Sequence, residues 1–329
     1  MRKTIENFCT TIGLNPMFVQ GAGGNISWKD GNTLWVKASG MWMVDAEKKD
    51  IFVPVDLKNI RNEIEKYNYS INIQTLAISE LRPSIETILH ALMPYKVVLH
   101  VHAVEILPYL VTKNYSELLS SIFNDLYSSA YVDYKKPGPD LAQAISKIFL
   151  HSPDAQILFL QNHGIVIGGD NVNVISRILD DLIEKVNQHS DSIINSCNVT
   201  NSISIPDGYY AVSDNEINNL VLNENYYDHV LRNWALYPDH VVFLGGSAYC
   251  YDSVEEFLST NTMPDLLFIK RVGVYTLPKF GRAKLDQLRC YYDVITRLNA
   301  NYQIRVLNHK EIDELLNWDL EKYRIKHAK

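Results

Sequence analysis

The apolar and polar positions of the chain follow two different periods, which predict both strands and helices. The stretch 95–104 is apolar, rich in β-branched residues and preceded by Pro94, which is typical of a buried strand. In the stretch 170–187, apolar residues recur every three or four positions behind a polar start, which predicts an amphipathic helix. The stretch 156–169 reads as a strand, a tight turn and a second strand.

Two histidines interrupt the first of these strands. Side chains two apart in a strand point to the same face, so His100 and His102 project side by side. Neutral imidazole is a good ligand for zinc and its neighbours, so the pair supplies two thirds of a catalytic metal site. A pair of partly buried histidines bonded to the backbone or to carboxylates is the alternative. His163 lies in the turn before Gly164, where its imidazole can be aimed at a neighbouring strand.

Two small polar turns follow the N-terminal helix that residues 1–20 predict. The first, 21–28, is glycine-rich, and consecutive N–H groups in such a turn can bind an anion. It has neither the Walker nor the dinucleotide spacing, and a plain hairpin turn is the alternative. The second ends the strand 33–40, with Lys37 beside it. Together the turns would suit a phosphate, although Lys37 alone would be read as a surface lysine.

A short helix is predicted between these turns and the histidine strand. Ser84 is the expected N-cap, and Glu86 would lie in the first turn, where a carboxylate favours the helix dipole. A role in stabilising the start of the helix would be enough to explain the presence of Glu86. The functional alternative is that Glu86 reaches the metal or a substrate proton.

The composition limits the classes of protein to which the chain can belong. The chain has 329 residues, enough for one large domain or two modest ones, and a net charge of -7 without a basic run, which argues against nucleic acid as a partner. The four cysteines, Cys9, Cys197, Cys250 and Cys290, form no Cys-x-x-Cys pair, which favours a reducing compartment. No segment has the length of a signal peptide core or a membrane span, so a cytoplasmic protein is expected.

Residues 206–329 are predicted to form a smaller α/β extension after a first domain of residues 1–205. The stretch 239–246 reads as a strand and 253–258 as a capped helix. The stretch 266–275 aligns with 157–166, and each is followed by a predicted helix. The extension is therefore expected to be a partial repeat, with Val272 where His163 stands; the alternative is a chance likeness, since units of strand, glycine turn, strand and helix resemble one another.

An ordered set of five motifs resembles the class II aldolase/adducin family over roughly residues 5–190. They are Gly24-Asn25-Ile26-Ser27, Lys37-Ala38-Ser39-Gly40, Pro83-Ser84-Ile85-Glu86, His100-Val101-His102 and Asn162-His163-Gly164. The C-terminal region is most similar to the aldolase part of rhamnulose-phosphate aldolase–dehydrogenase fusions, through Leu277 onward, Cys290-Tyr291-Tyr292 and Leu316-Asn317-Trp318-Asp319.

The resemblance implies a three-layer α/β/α sandwich with a mainly antiparallel central sheet, and a homotetramer with sites between subunits. It implies that His100, His102 and His163 bind a divalent metal, zinc or another transition metal, and that Glu86 is the acid/base carboxylate. It further implies that a substrate phosphate is held by Asn25, Lys37, Ser39, Gly40 and Ser84. Ile85 replaces a second serine that short aldolases often have, which removes one hydroxyl.

The implied activity is cleavage or formation of a C–C bond in a ketose, which is expected to be phosphorylated, through a metal-stabilised enediolate. The same constellation would serve a 4-epimerase, a dehydratase or a decarboxylase of a sugar phosphate. The alternative from another class of protein is a non-catalytic scaffold like the adducin head. The presence of all three histidines and the glutamate argues against this alternative.

Overall fold

The computed structural model describes residues 1–77, 79–123, 126–189 and 207–328. Cys197 lies outside the described residues, whereas Cys9, Cys250 and Cys290 are free thiols. Among the described residues, no helix combines the length and the apolar composition needed to cross a bilayer.

A seven-stranded sheet forms the centre of the N-terminal part. Its strands are β1 (Asn25–Asp30), β2 (Thr33–Lys37), β3 (Phe52–Asp56), β4 (Val97–Val101), β5 (Ser129–Val132), β6 (Ile157–Leu160) and β7 (Gly164–Gly169). They lie in the order β3-β2-β1-β4-β7-β6-β5. Every neighbouring pair is antiparallel except β5 and β6, which are parallel. The expected mainly antiparallel sheet is therefore confirmed.

Helices cover both faces of this sheet. They are α1 (Arg2–Gly13), α2 (Leu57–Glu65), α3 (Thr87–Leu92), α4 (Leu107–Leu110), α5 (Tyr115–Phe123), α6 (Pro139–Phe149) and α7 (Val172–Asn187). Alternation along β4 divides the core: Val98 packs with α3 and α6, whereas Leu99 packs with α1 and α7. Apolar residues on both faces of the central strands thus produce the three-layer sandwich that was expected.

A second, four-stranded sheet lies in the C-terminal part. Its strands are β8 (Tyr210–Ala211), β9 (Cys250–Tyr251), β10 (Leu266–Ile269) and β11 (Gly273–Thr276), in the order β8-β11-β10-β9. The helices of this part are α8 (Asn219–Leu222), α9 (Glu224–Arg232), α10 (Pro238–Leu244), α11 (Val254–Leu258), α12 (Arg282–Ile295), α13 (His309–Leu316) and α14 (Asp319–His327). One hydrophobic cluster contains residues of both α1 and α12, so the two parts share core packing. The boundary near residue 205 stays a prediction.

Two local predictions were wrong. The stretch 239–246 is not a strand, because α10 occupies residues 238–244 with Pro238 in its first turn, where a proline favours a helix. Ser84 is not the N-cap of α3. Glu86 holds that position, and the Ser84 hydroxyl accepts a 3.3 Å bond from the Glu86 amide. The capped helix predicted at 253–258 is confirmed, with Ser253 accepting from the Glu256 amide.

The aligned hairpins β6–β7 and β10–β11 share a turn conformation. Asn162, with φ of 50°, and Arg271, with φ of 57°, hold left-handed backbone at corresponding positions before Gly164 and Gly273. The partial repeat itself stays a prediction.

Candidate metal and catalytic site

Three histidines from distant positions in the chain meet at one end of the central sheet. His100 lies in β4, paired with Asn25 on β1 and with Val166 on β7. His102 follows the end of β4, and His163 lies in the turn between β6 and β7. Each is buried, and one ligand nitrogen from each lies within 4.8 Å of the other two. The arrangement could hold a metal ion.

The ring nitrogens are oriented as metal ligation requires. His100 Nδ1 lies 2.9 Å from the Ile165 carbonyl and donates its proton there, which leaves the lone pair of the neutral ring on Nε2. His102 Nε2 lies 3.2 Å from that atom. Two imidazole nitrogens on one tetrahedral zinc lie about 3.3 Å apart, given Zn–N distances of about 2.0–2.1 Å. The observed spacing therefore fits a bound ion.

Burial favours the neutral, metal-binding form of the rings of His102 and His163. Burial lowers the pKa of His102 to about 3 and that of His163 to about 4. His163 Nδ1 is buried and has no hydrogen-bond partner among the described residues.

Glu86 lies across the face of the histidine cluster. Its Oε2 is 3.5 Å from His100 Nε2, and its Oε1 is 3.6 Å from His163 Nε2. Burial by itself raises the pKa of this carboxyl, but His100, His163 and a hydrogen bond from Asn25 lower it by more, to about 2. A charged carboxylate thus faces the nitrogens that would bind the ion.

A buried hydrogen-bond chain holds this carboxylate in place. Asn25 Nδ2 donates to Glu86 Oε2 at 2.9 Å, and its Oδ1 contacts His90 Nε2. His90 Nδ1 lies 2.7 Å from the Ser27 hydroxyl. Burial lowers the pKa of His90 to about 3, so the ring is neutral: Nε2–H donates to Asn25, and Nδ1 accepts from Ser27. The sequence signal for His90, four residues after Glu86 and hence one helical turn away, was overlooked.

The C-terminal part contributes a second group of charges that sequence reasoning missed. Asp239 on α10 places Oδ2 3.6 Å from His102 Nδ1. Arg324 on α14 forms a close ion pair with Asp239 Oδ1, and Gln287 Nε2 lies 3.4 Å from Asp239 Oδ2. Carboxylates behind ligand histidines orient the ring and raise its basicity. Asp239 acts on His102 through its charge, because the 3.6 Å separation is too long for a hydrogen bond and His102 Nδ1 has no hydrogen-bond partner among the described residues.

Glu321 is the other acidic residue that α14 brings to the site. Its side chain is 2% exposed, and its Oε2 lies 2.8 Å from Arg324 Nε. The angle at this contact does not make a hydrogen bond, so neither Glu321 oxygen has a hydrogen-bond partner among the described residues. Burial raises the pKa of Glu321 to about 7, against the opposing effect of Arg324.

The residues expected to hold a phosphate lie together around one small cavity. Its lining includes Asn25, Lys37, Ser39, Gly40 and Ser84. Lys37 is buried rather than on the surface, and its Nζ donates to the carbonyls of Ala22, at 3.3 Å, and Met41, at 2.6 Å. Burial lowers the pKa of Lys37 to about 8. The Ser39 hydroxyl is buried without a hydrogen-bond partner. Asn25 differs from the others, because its amide is already engaged by Glu86 and His90.

The cavity is narrow and opens beside a larger one. The volume that the centre of a water molecule can occupy in it is about 20 Å³. Its lining also includes Glu86, His163, Asp239, Glu321 and Arg324. A neighbouring cavity of about 490 Å³ shares Ser39, Ser84 and Ile85 with it and is bounded by Leu320 and Tyr323 of α14. Helix α14 therefore lines both cavities, the inner one through Glu321 and Arg324 and the outer one through Leu320 and Tyr323.

Gly164 is required by the close packing of the histidines. A Cβ at this position would lie 2.5 Å from the Val101 carbonyl oxygen and 2.9 Å from Cδ2 of His102. The motif glycine thus lets β7 approach the rings closely.

Comparison with known families gives this geometry a context. Residues 7–177 match the family described as the class II aldolase and adducin N-terminal domain. The chain belongs to this family, and the fold expected from its motifs is confirmed.

Individual relatives are more distant. The chain is 26% identical over 200 residues to an uncharacterized oxidoreductase, YuxG, of Bacillus subtilis; the match covers 56% of the chain and only 29% of that protein. A class II aldolase domain from Thermoplasma acidophilum is 24% identical with a TM-score of 0.47, over 56% of this chain and 92% of its own. YgbL of Klebsiella pneumoniae, a putative aldolase/epimerase/decarboxylase, is 18% identical with a TM-score of 0.43, over 57% and 86%.

Proposed function

We propose that the protein is a zinc-dependent aldolase that cleaves, or forms, a C–C bond of a phosphorylated ketose. The observation that carries this proposal is the placement of the Glu86 carboxylate within 3.6 Å of ligand nitrogens of both His100 and His163. An acid/base group beside a Lewis-acid site suits a reaction in which negative charge develops next to a carbonyl.

The three histidines are the residues that would hold the ion. Their neutral rings, the 3.2 Å spacing of two Nε2 atoms and the absence of any thiolate in the cluster favour zinc or a neighbouring transition metal. When bound, the ion would act as a Lewis acid on the substrate carbonyl oxygen.

Glu86 is proposed to move the proton. In the cleavage direction, the C–C bond breaks as a substrate hydroxyl loses its proton to solvent and becomes a carbonyl. The electron pair of that bond passes to the carbon beside the ketone, and Glu86, which takes up a proton from solvent, delivers it to this carbon. Asn25 and His90 keep the carboxylate pointed at this position through the hydrogen-bond chain.

Lys37, Ser39 and the Gly40 turn are proposed to hold the phosphate. Lys37 supplies the positive charge and Ser39 an uncommitted hydroxyl, and both line the cavity that Glu86 lines. Their contribution is positioning, which fixes the substrate relative to the carboxylate. The tetramer implied by the family resemblance stays a prediction.

A substrate screen tests the proposal. The purified protein loaded with Zn²⁺ is incubated with a panel of ketose phosphates, and the carbon number of the products is measured by mass spectrometry. Cleavage into two shorter fragments, abolished in Glu86→Gln, is expected. Products that keep the full carbon number, or that lose carbon dioxide, would overturn the aldolase assignment.

A further inference from the structure

We infer that Glu321, on the C-terminal helix, binds a substrate hydroxyl and helps to determine which sugar the protein accepts. This inference rests on the proposed function for the chemical class of the substrate. It concerns a residue beyond the 7–177 segment that the family shares, so the family match says nothing about it.

The first step of the argument is the unusual state of the Glu321 side chain. It is 2% exposed, and neither carboxylate oxygen accepts a hydrogen bond. Leaving a buried polar group without hydrogen bonds is unfavourable, and more so for a charged one. Such groups are rare in native proteins, and each requires an explanation, of which a bound ligand is one.

The second step is the position of the carboxylate. Glu321 lines the same cavity as Glu86, His163 and Lys37, so a molecule bound at those residues comes within its reach. The cavity is too small for a sugar as it stands, but it adjoins the 490 Å³ cavity, with which it shares Ser39, Ser84 and Ile85. A substrate that spans the two places one end in the inner cavity, whose lining includes Glu321.

The third step is the charge around it. Arg324 lies between Glu321 and Asp239, at 2.8 Å from Glu321, and pairs with both. The guanidinium is thereby occupied by carboxylates of this chain and offers little to an added anion. The Oε1 atom of Glu321 is the acceptor left beside this pair, and the groups that suit it are the O–H donors of a polyhydroxylated molecule.

Contacts of helix α14 with the rest of the protein hold Glu321 in position. The Arg82 guanidinium stacks over the Tyr323 ring at 4.5 Å, and the Cβ that Gly40 lacks would lie 2.7 Å from the Cβ of His327. The helix therefore packs directly on the turn proposed to hold the phosphate. A phosphate at that turn would bring the carbon chain of the substrate toward Glu321.

The experiment compares two acceptor aldehydes that differ by one hydroxyl. Addition of dihydroxyacetone phosphate to lactaldehyde and to propanal is measured with the Zn²⁺-loaded protein, for wild type, Glu321→Gln and Glu321→Met. We expect the kcat/KM ratio, lactaldehyde over propanal, to fall by about ten-fold or more in Glu321→Met and by less in Glu321→Gln, which keeps one acceptor oxygen.

Asp319→Asn is the matched control, because Asp319 lies on the same helix with a side chain that is 93% exposed. Its ratio should equal that of wild type. Wild-type activity with the same ratio in all variants overturns the role of Glu321 and leaves the aldolase proposal standing. No C–C bond formation by the wild type with either aldehyde overturns the proposed function and this inference with it.

A binding measurement makes the result independent of turnover. Titration calorimetry compares glycerol 1-phosphate with 3-hydroxypropyl phosphate, which lacks one hydroxyl. The preference of the wild type for the glycerol compound should disappear in Glu321→Met. An undiminished preference in that variant would contradict the inference, and circular dichroism establishes that each variant is folded.

Discussion

Glu86 Oε2 lies 3.5 Å from Nε2 of His100, the nitrogen that bears the lone pair because Nδ1 donates to the Ile165 carbonyl. A carboxylate and an unprotonated ring nitrogen are both acceptors, so no hydrogen bond joins them. A cation beside them satisfies both, and this relationship is the physical basis for the predictions that follow.

We expect the protein to bind one divalent transition metal ion per chain through the histidine cluster. Because the ion binds the folded site, ion at 100-fold excess over its Kd should stabilise the protein by about 2.7 kcal/mol, and chelation should reverse this. Calorimetric melting with and without chelator measures the effect. His100→Ala should abolish it, whereas His151→Ala, at an exposed position, should not. Wild-type metal content in His100→Ala would contradict the ligand assignment.

Glu86→Gln should keep the ion and lose turnover. The amide has nearly the shape of the carboxylate but cannot exchange a proton, so kcat should fall by about 10²–10⁴-fold. Elemental analysis of the same preparation checks that metal content is unchanged. Full activity in this variant would remove Glu86 from the mechanism.

His90 should act on the rate through Glu86 alone. Glutamine can place its amide nitrogen where Nε2 donates to Asn25, whereas leucine cannot. We expect His90→Leu to lower kcat by about ten-fold, in line with the loss of one hydrogen bond to the group that holds Glu86, and His90→Gln to restore most of it. KM and metal content should change little. Equal losses in the two variants would show that His90 serves packing only.

The buried Glu321 carboxyl should make stability depend on pH. Its pKa is raised from 4.5 to about 7 by burial, so between these values the folded protein binds more protons than the unfolded chain. The contribution of Glu321 to the free energy of unfolding is fully present below pH 4.5 and is lost as the pH rises through 7. Relative to Glu321→Gln, wild type should lose about 3 kcal/mol over this range, from 1.36 kcal/mol per unit of pKa. Urea unfolding at several pH values measures this, and parallel curves would contradict it.

Gly164→Ala should weaken metal binding without removing a ligand. The added Cβ would lie 2.5 Å from the Val101 carbonyl oxygen, so β7 or the rings of the cluster must shift. A loss of affinity of about ten-fold or more is expected, as for other changes in the support of a metal ligand. Gly281→Ala is the control, because a Cβ there would meet nothing within 4 Å. Competition with a chromogenic chelator gives the two affinities.

The sequence determined the parts of this protein that depend on local order. The two-residue period of a strand puts His100 and His102 on one face, and the glycine at 164 indicates the turn that aims His163. The family motifs indicated the sandwich and the residues around the cavity. Lys37 was identified from its place beside a turn, but its burial was not foreseen.

Only the tertiary structure decided what surrounds those residues. Asp239 lies in a stretch that reads as a strand by its apolar run, and it faces His102 because residues 238–244 form a helix. Glu321 and Arg324 are separated from Glu86 by more than 200 positions and reach it only because α14 packs against the Gly40 turn. Periodicity reports which face of an element is buried. It carries no information on which distant element covers that face, because that choice depends on the packing of the whole chain.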